Sequence, residues 1–226
     1  MIAALELDGP RVAPASGGKA SALIVLLHGL GADGNDLIGL APALARRFPE
    51  AAFVSPHAPF PCDMAPYGRQ WFSLQSRSPQ ALLAGVSMAA PILNAFLDSE
   101  LKALKLGPER LALIGFSQGT MTSLHVALRR HAPVAAVVGF SGHLIAPDHL
   151  VEEIASRPPV LLVHGTADQV VPFGALAAAE SALKGNGIAV ETLACPGLGH
   201  GIDGAGLSAA AAFLGRHLGA PGPGKE

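Results

Sequence analysis

Apolar residues in this chain come in two rhythms. Short runs that are almost wholly apolar, Ala22-Leu-Ile-Val-Leu-Leu27, Ala52-Phe-Val-Ser55, Leu111-Ala-Leu-Ile-Gly-Phe116, Val134-Ala-Ala-Val-Val-Gly-Phe140 and Pro159-Val-Leu-Leu-Val163, alternate with longer stretches whose apolar positions recur every three or four residues. The runs predict strands buried on both faces, with a last strand over 189–193; the longer stretches predict helices. Helices are expected over 37–48, over 80–105 with an interruption at Pro91, after residue 117 with Met121, Leu124 and Leu128 on one face, and over 150–155, 173–184 and 207–218. Asn35 or Asp36 is the expected cap of the first, and Gly107-Pro108 ends the second. Residues 1–19 predict a small edge hairpin. Strand and helix alternate throughout, which implies an α/β fold with a largely parallel sheet covered by helices on both faces. In such sheets functional residues gather at the carboxyl ends of the strands.

No internal repeat or linker divides the pattern, so residues 1–218 are expected to form one domain, with a flexible tail over 219–226 rich in Gly and Pro. One stretch breaks the rhythm. Residues 56–79 hold five prolines together with Tyr67, Trp71 and Phe72, too long and too apolar for a plain connector, and predict a lid-like functional loop. Composition narrows the function classes. Fifteen basic residues against seventeen acidic ones leave a net charge of -2, with no basic stripe, so a nucleic-acid partner is not expected. Half the residues are hydrophobic, yet no uninterrupted apolar run approaches the ~20 residues of a spanning helix, so stable membrane insertion is not expected either. Glu6 and Asp8 follow the first residues at once, without a basic region or a signal-length apolar segment, which favours a cytoplasmic protein with Cys62 and Cys195 reduced.

The candidate chemistry centres on Gly115-Phe116-Ser117-Gln118-Gly119, where a predicted strand turns into a predicted helix. That context makes Gly-x-Ser-x-Gly a nucleophile elbow: the sharp turn exposes one serine hydroxyl and needs residues without bulk beside it. A serine hydroxyl is a weak nucleophile until a histidine takes its proton and an acid orients the histidine. An elbow serine is followed in the chain by the acid and then the histidine. This order sets aside His28 and His57. Among later histidines, His125 and His131 lie in or just past the elbow helix and His217 in the last helix, whereas His200 sits in a glycine-rich loop directly after the last strand. Asp168, just past the strand ending at Val163, is the expected acid. Asp148 is less well placed, and Asp203 is expected to cap the final helix.

Acyl transfer also needs donors aimed at the developing oxyanion. Gln118, next to the nucleophile, supplies one backbone amide, and the loop His28-Gly29-Leu30-Gly31 the other. Gly29 to Gly34 also fits Gly-x-Gly-x-x-Gly, but the next strand runs into Ser55-Pro-His57 instead of ending on an acidic residue, so nucleotide binding is not expected. Two Ser-x-x-Lys matches, Ser99 to Lys102 and Ser181 to Lys184, read as solvated helix faces. The histidines show no metal-ligand spacing. Met64, Trp71, Phe72, Leu74, Val171 and Leu198 lie in loops near the expected site and are candidates to line an acyl groove, where each buried methylene gains about 0.8 kcal/mol.

Leu27-His28-Gly29-Leu30-Gly31, Gly115-Phe116-Ser117-Gln118-Gly119, His164-Gly-Thr-Ala-Asp168-Gln-Val-Val-Pro172 and Gly199-His200 together resemble the phospholipase/carboxylesterase family of small α/β-hydrolases, which includes the acyl-protein thioesterases. The resemblance covers nearly the whole chain. It implies a Ser117, Asp168, His200 triad, an oxyanion hole from the amides of Leu30 and Gln118, and hydrolysis of carboxylic esters or thioesters without a cofactor. Such members often form homodimers, of which the sequence itself carries no sign. Arg69-Gln70-Trp71-Phe72, followed by Ser73 where eukaryotic members commonly have an acidic residue, looks more like bacterial carboxylesterases acting on small to medium, or lipid-like, esters. Thr120 stands where a further glycine is common. The alternatives are an acyl-protein thioesterase or lysophospholipase, another hydrolase on the same fold, and a binding protein that has kept the fold without the activity.

Overall fold

In a computed structural model that describes residues 6–218, the chain builds nine strands: β1 (Arg11–Val12), β2 (Ala22–Leu27), β3 (Ala51–Val54), β4 (Phe60–Pro61), β5 (Arg69–Gln70), β6 (Leu111–Phe116), β7 (Ala136–Phe140), β8 (Val160–Gly165) and β9 (Val190–Cys195). Seven of them form one sheet in the order β1-β3-β2-β6-β7-β8-β9, parallel except for β1. Side chains alternate across a strand, and β2 shows the consequence. Leu23, Val25 and Leu27 enter a core with Trp71, Leu93 and Leu124, while Ile24 and Leu26 enter a second core with Leu37, Leu44 and Phe213. Both faces are therefore covered, which is why β2 reads as continuously apolar. Each such leucine, fully buried, stabilises the fold by about 1.5–3 kcal/mol. β9 ends the sheet and is only partly buried, so Glu191 and Thr192 are tolerated within it.

The helices are α1 (Gly34–Leu37), α2 (Ala41–Ala45), α3 (Pro79–Leu104), α4 (Gln118–Arg129), α5 (Leu150–Glu153), α6 (Gly174–Gly185) and α7 (Gly204–His217). Three expectations are corrected. The helix over 37–48 is broken into α1, a tighter turn over Ile38–Leu40, and α2, with Asp33 as its cap through a 2.7 Å bond from the Asn35 amide. Residues 1–19 make no hairpin among the described residues; Arg11 and Val12 instead pair antiparallel with Val54 and Phe53 of β3. The third correction concerns Pro91, through which α3 runs unbroken, capped at its start by Ser78. Proline frees the carbonyl four residues back, and Ser87 lies on the exposed side, where that carbonyl is open to solvent. The cap expected at Asp203 is present, its carboxylate accepting from Gly206 N at 2.7 Å.

By length and composition α3 could cross a bilayer. Its two faces differ, however. Val86, Ala89, Leu93, Phe96, Leu97 and Leu101 are buried in the sheet core, while Asp98 and Ser99 face outward. The tail over 219–226 and the first five residues lie outside the described residues.

Candidate active site

The elbow joins β6 to α4 at Ser117, whose backbone is held at φ 53° and ψ -115°. Such left-handed geometry costs a non-glycine residue about 1–3 kcal/mol and persists only where neighbours enforce it. Here the Ser117 amide donates to Phe140 O at 2.8 Å. The flanking glycines are sterically required: a Cβ on Gly115 would lie 2.4 Å from Thr120 N, and one on Gly119 would lie 1.9 Å from Leu27 O. Thr120 has its own compensation. Its hydroxyl lies 2.8 Å from both Gly115 O and Phe140 O, and its methyl group and branched carbon occupy space left by Gly139 and Gly142, where an added Cβ would lie 2.5 Å from the methyl and 2.4 Å from the branched carbon, respectively.

Asp168 follows β8 in a turn, and its side chain is fully shielded from solvent. Oδ1 accepts the amides of Val170 and Val171 at 2.8 and 2.9 Å. Oδ2 lies 2.7 Å from His200 Nδ1 and 3.3 Å from His164 Nε2. Burial raises the carboxyl pKa, but the bonds from His200, Val171 and Val170 outweigh it and hold the group below its ordinary value. An ionised carboxylate accepts only, so His200 carries its proton on Nδ1, which leaves Nε2 as the basic nitrogen. The His200 ring packs on Phe116, 4.8 Å between centroids. His164 was not among the sequence candidates. Its Nε2 donates to Val171 O at 2.9 Å and leans on Asp168, bracing the turn from within.

The loop after β2 is fixed from the other side. His28 Nε2 accepts the Ala58 amide at 3.0 Å, so its Nδ1 donates to Gly29 O at 2.7 Å. Burial pushes the His28 pKa down and keeps the ring neutral. Gly31, at φ 79°, donates to Arg69 O at 2.9 Å, and Arg69 N donates back to Ala32 O at 2.8 Å. Gly29 packs against the elbow: a Cβ there would meet Phe116 at 3.1 Å. Gln118, at the first position of α4, has no intrahelical acceptor for its amide.

Residues 56–79 place Trp71 and Phe72 differently from expectation. Both are buried, at 0% and 1% exposure, and neither lines the cavity over Ser117. Trp71 Nε1 donates to His28 O at 3.0 Å; Trp71 N donates to Gln118 Oε1 at 2.9 Å, and Gln118 Nε2 donates to Phe72 O at 2.7 Å. A polar clamp on the backbone thus turns the two aromatic rings into the core. Sequence pattern alone does not show this, because the clamp comes from a side chain 46 and 47 positions away. Met64 is 52% exposed and also lies outside the cavity lining. Leu198 packs on the core of the opposite sheet face instead.

Leu74 and Val171 do line the cavity, which encloses about 440 Å³ and also bears Leu30, Ser117 and His200 on its wall. Leu82, Phe116, Met121, Val170 and Pro172 complete its apolar lining, with Arg77 and His143 as its further polar members. Leu82 and Met121 come from helices whose periodicity marks them only as buried positions; which buried positions face a cavity depends on how α3 and α4 sit on the sheet. A hydroxyl on a strained turn, a histidine held by a buried carboxylate and an apolar hollow beside both is an arrangement suited to acyl transfer.

Comparison with known proteins places residues 8–218 within the family model described as Phospholipase/Carboxylesterase. A protein of rice (Oryza sativa subsp. japonica) described as a probable carboxylesterase is 32% identical over 229 residues, covering 96% of this chain and 85% of its own. Esterase YpfH of Escherichia coli (strain K12) is 30% identical over 184 residues, covering 81% and 78%. Among solved structures, esterase PE8 superposes with a TM-score of 0.89 at 43% identity, covering 94% of this chain and 99% of its own.

Proposed function

The chain belongs to the phospholipase/carboxylesterase family of α/β-hydrolases, and on that premise we propose that it is a cytoplasmic serine carboxylesterase working through an acyl-enzyme on Ser117. The observation that carries this reading is the 2.7 Å bond from His200 Nδ1 to the buried Asp168 carboxylate, on the wall of the same cavity as Ser117. His200 Nε2 takes the Ser117 proton as Oγ attacks the ester carbonyl, and Asp168 stabilises the imidazolium that forms. The amides of Leu30 and Gln118 receive the oxyanion; one such donor is worth about 3 kcal/mol in the transition state. The imidazolium then protonates the leaving alcohol. A water that gives its proton to the same nitrogen attacks the acyl carbonyl, and Ser117 is released with its proton restored. No cofactor enters the scheme.

Apolar walls from Leu74, Leu82, Met121 and Val171 suit an acyl chain of small to medium length. The test is hydrolysis of p-nitrophenyl butyrate together with labelling by a fluorophosphonate. Ser117→Ala should abolish both; hydrolysis at the wild-type rate by that variant would sink the reading. A parallel series of esters and thioesters across chain lengths separates the carboxylesterase from the thioesterase activity.

A further inference from the structure

The cavity over Ser117 carries more positive charge than a neutral ester needs. Its walls are largely apolar, no acidic side chain lines it, and the Asp168 carboxylate is fully shielded from solvent. Arg77 nevertheless stands on the rim with His143. Arg11, Arg129, Arg130 and Arg216 are each tied to a carboxylate at the surface, and Arg69, Arg110 and Arg157 donate to backbone carbonyls. Arg77, like Arg46 and Arg47, is in none of the ion pairs or side-chain hydrogen bonds among the described residues, and of these three it is the one on the cavity wall. Its position is set by the chain: Arg77 directly precedes Ser78, whose hydroxyl caps α3 by accepting Ala81 N at 3.2 Å, and Leu82 of the same first turn lines the cavity. Burial and the nearby Arg77 charge both push the His143 pKa down. The ring is therefore neutral and free to donate from one nitrogen. Beyond Leu82 and His143 lies an adjoining hollow of about 410 Å³, where Asp148 and His149 stand.

A guanidinium with no carboxylate of its own favours a carboxylate or phosphate, two oxygens of which it meets with two parallel charge-assisted bonds. Resting on the esterase reading above, we propose that Arg77, with His143 beside it, forms an anion subsite of the ester-binding cavity, so that the substrate is an ester carrying a carboxylate or a phosphate besides the scissile carbonyl. The guanidinium is exposed, so water and salt screen the contact. The expected discrimination is accordingly about tenfold and not several orders of magnitude.

The experiment compares kcat/KM for two esters of equal acyl length, p-nitrophenyl hemiglutarate and p-nitrophenyl pentanoate. In Arg77→Gln the anionic-to-neutral ratio should fall about tenfold, chiefly through KM; Arg77→Lys, which keeps the charge without the two-pronged geometry, should keep only part of it, and high salt should compress the wild-type ratio. A second pair, 1-butanoylglycerol 3-phosphate and 1-butanoylglycerol, tells whether phosphate or carboxylate is the better occupant. Ratios unchanged by Arg77→Gln for both pairs would overturn the subsite. Calorimetric titration of monomethyl glutarate and methyl pentanoate into the Ser117→Ala protein reads the same preference without turnover. Arg77-dependent binding of monomethyl glutarate in a protein that hydrolyses neither ester would sustain the subsite while removing the esterase reading; turnover without Arg77 dependence would do the reverse.

Discussion

Ser117 is flanked by two regions built on different principles. On the β8 and β9 side, polar side chains are held by other polar groups: Asp168 receives two backbone amides and faces two histidines, and one of these, His200, stands at the cavity. On the β2 side, the loop 28–34 and the segment 56–79 are held by backbone bonds and buried aromatic rings, with Trp71 and Phe72 turned inward. On the proposed reading, the first region presents the reactive atoms and the second fixes the shape in which Leu30 and Ser117 meet a substrate. Function and stability should therefore separate under mutation according to which side is touched.

The largest expected effect lies at the point both regions share. Ser117→Ala should lower kcat by about 10⁶, measured with p-nitrophenyl butyrate, while the unfolding midpoint in urea stays near the wild-type value because one small side chain replaces another. Trp71→Ala should do the opposite and destabilise the fold by about 3–5 kcal/mol, since it empties a fully buried site and removes the bond to His28 O. A urea titration reads this directly. If Trp71→Ala instead left stability intact and changed only ester selectivity, Trp71 would belong to the substrate groove after all.

Between the two regions runs α4, which carries a third kind of site. His125 is buried with its Nδ1 unpartnered, and burial, reinforced by Arg129, pushes its pKa down to about 4. The unfolded chain then binds more protons than the native one between that value and the ordinary 6.5. Stability contributed by neutral His125 is fully present above pH 6.5 and is lost as pH falls toward 4, by about 3 kcal/mol in all. Asp168 has its own pKa lowered below 3.8, so its contribution persists through that window and is lost only as the pH falls further. His125→Leu should reduce the slope of the stability profile between pH 6.5 and 4 in equilibrium unfolding, leaving the part set by His28, His143 and His217, whose pKa values burial also pushes down; an unchanged slope would show that those groups control it.

The smallest effect tests the clamp between the two regions. Gln118→Met keeps the length of the side chain but leaves Trp71 N and Phe72 O without their buried partners, at a cost of about 2 kcal/mol. Because the Gln118 backbone amide remains, kcat should fall far less than in Ser117→Ala. A loss of activity as large as that of Ser117→Ala would mean that the clamp also sets the oxyanion geometry.

Much of this arrangement is legible in the one-dimensional pattern. Continuous apolar runs specify strands because both sheet faces are covered, and Ser117, Asp168 and His200, just past the ends of β6, β8 and β9, come together because a parallel sheet gathers those ends on one edge. Local signals succeed wherever the determining partner is near in sequence, as with Asp203 capping α7 or the small residues around Ser117. They fail where the partner is distant. The pattern places Trp71 and Phe72 in a Pro-rich loop, and only the fold brings the Gln118 amide against their backbone and buries them. No local signal marks His164, which the turn brings against Asp168, or Arg77, which the start of α3 sets at the mouth of the cavity. Spacing along the chain is enough to specify the alternation of elements and the candidate reactive residues at their ends. Which side chains face the cavity depends instead on contacts between segments far apart in the chain, and so is set by the fold alone.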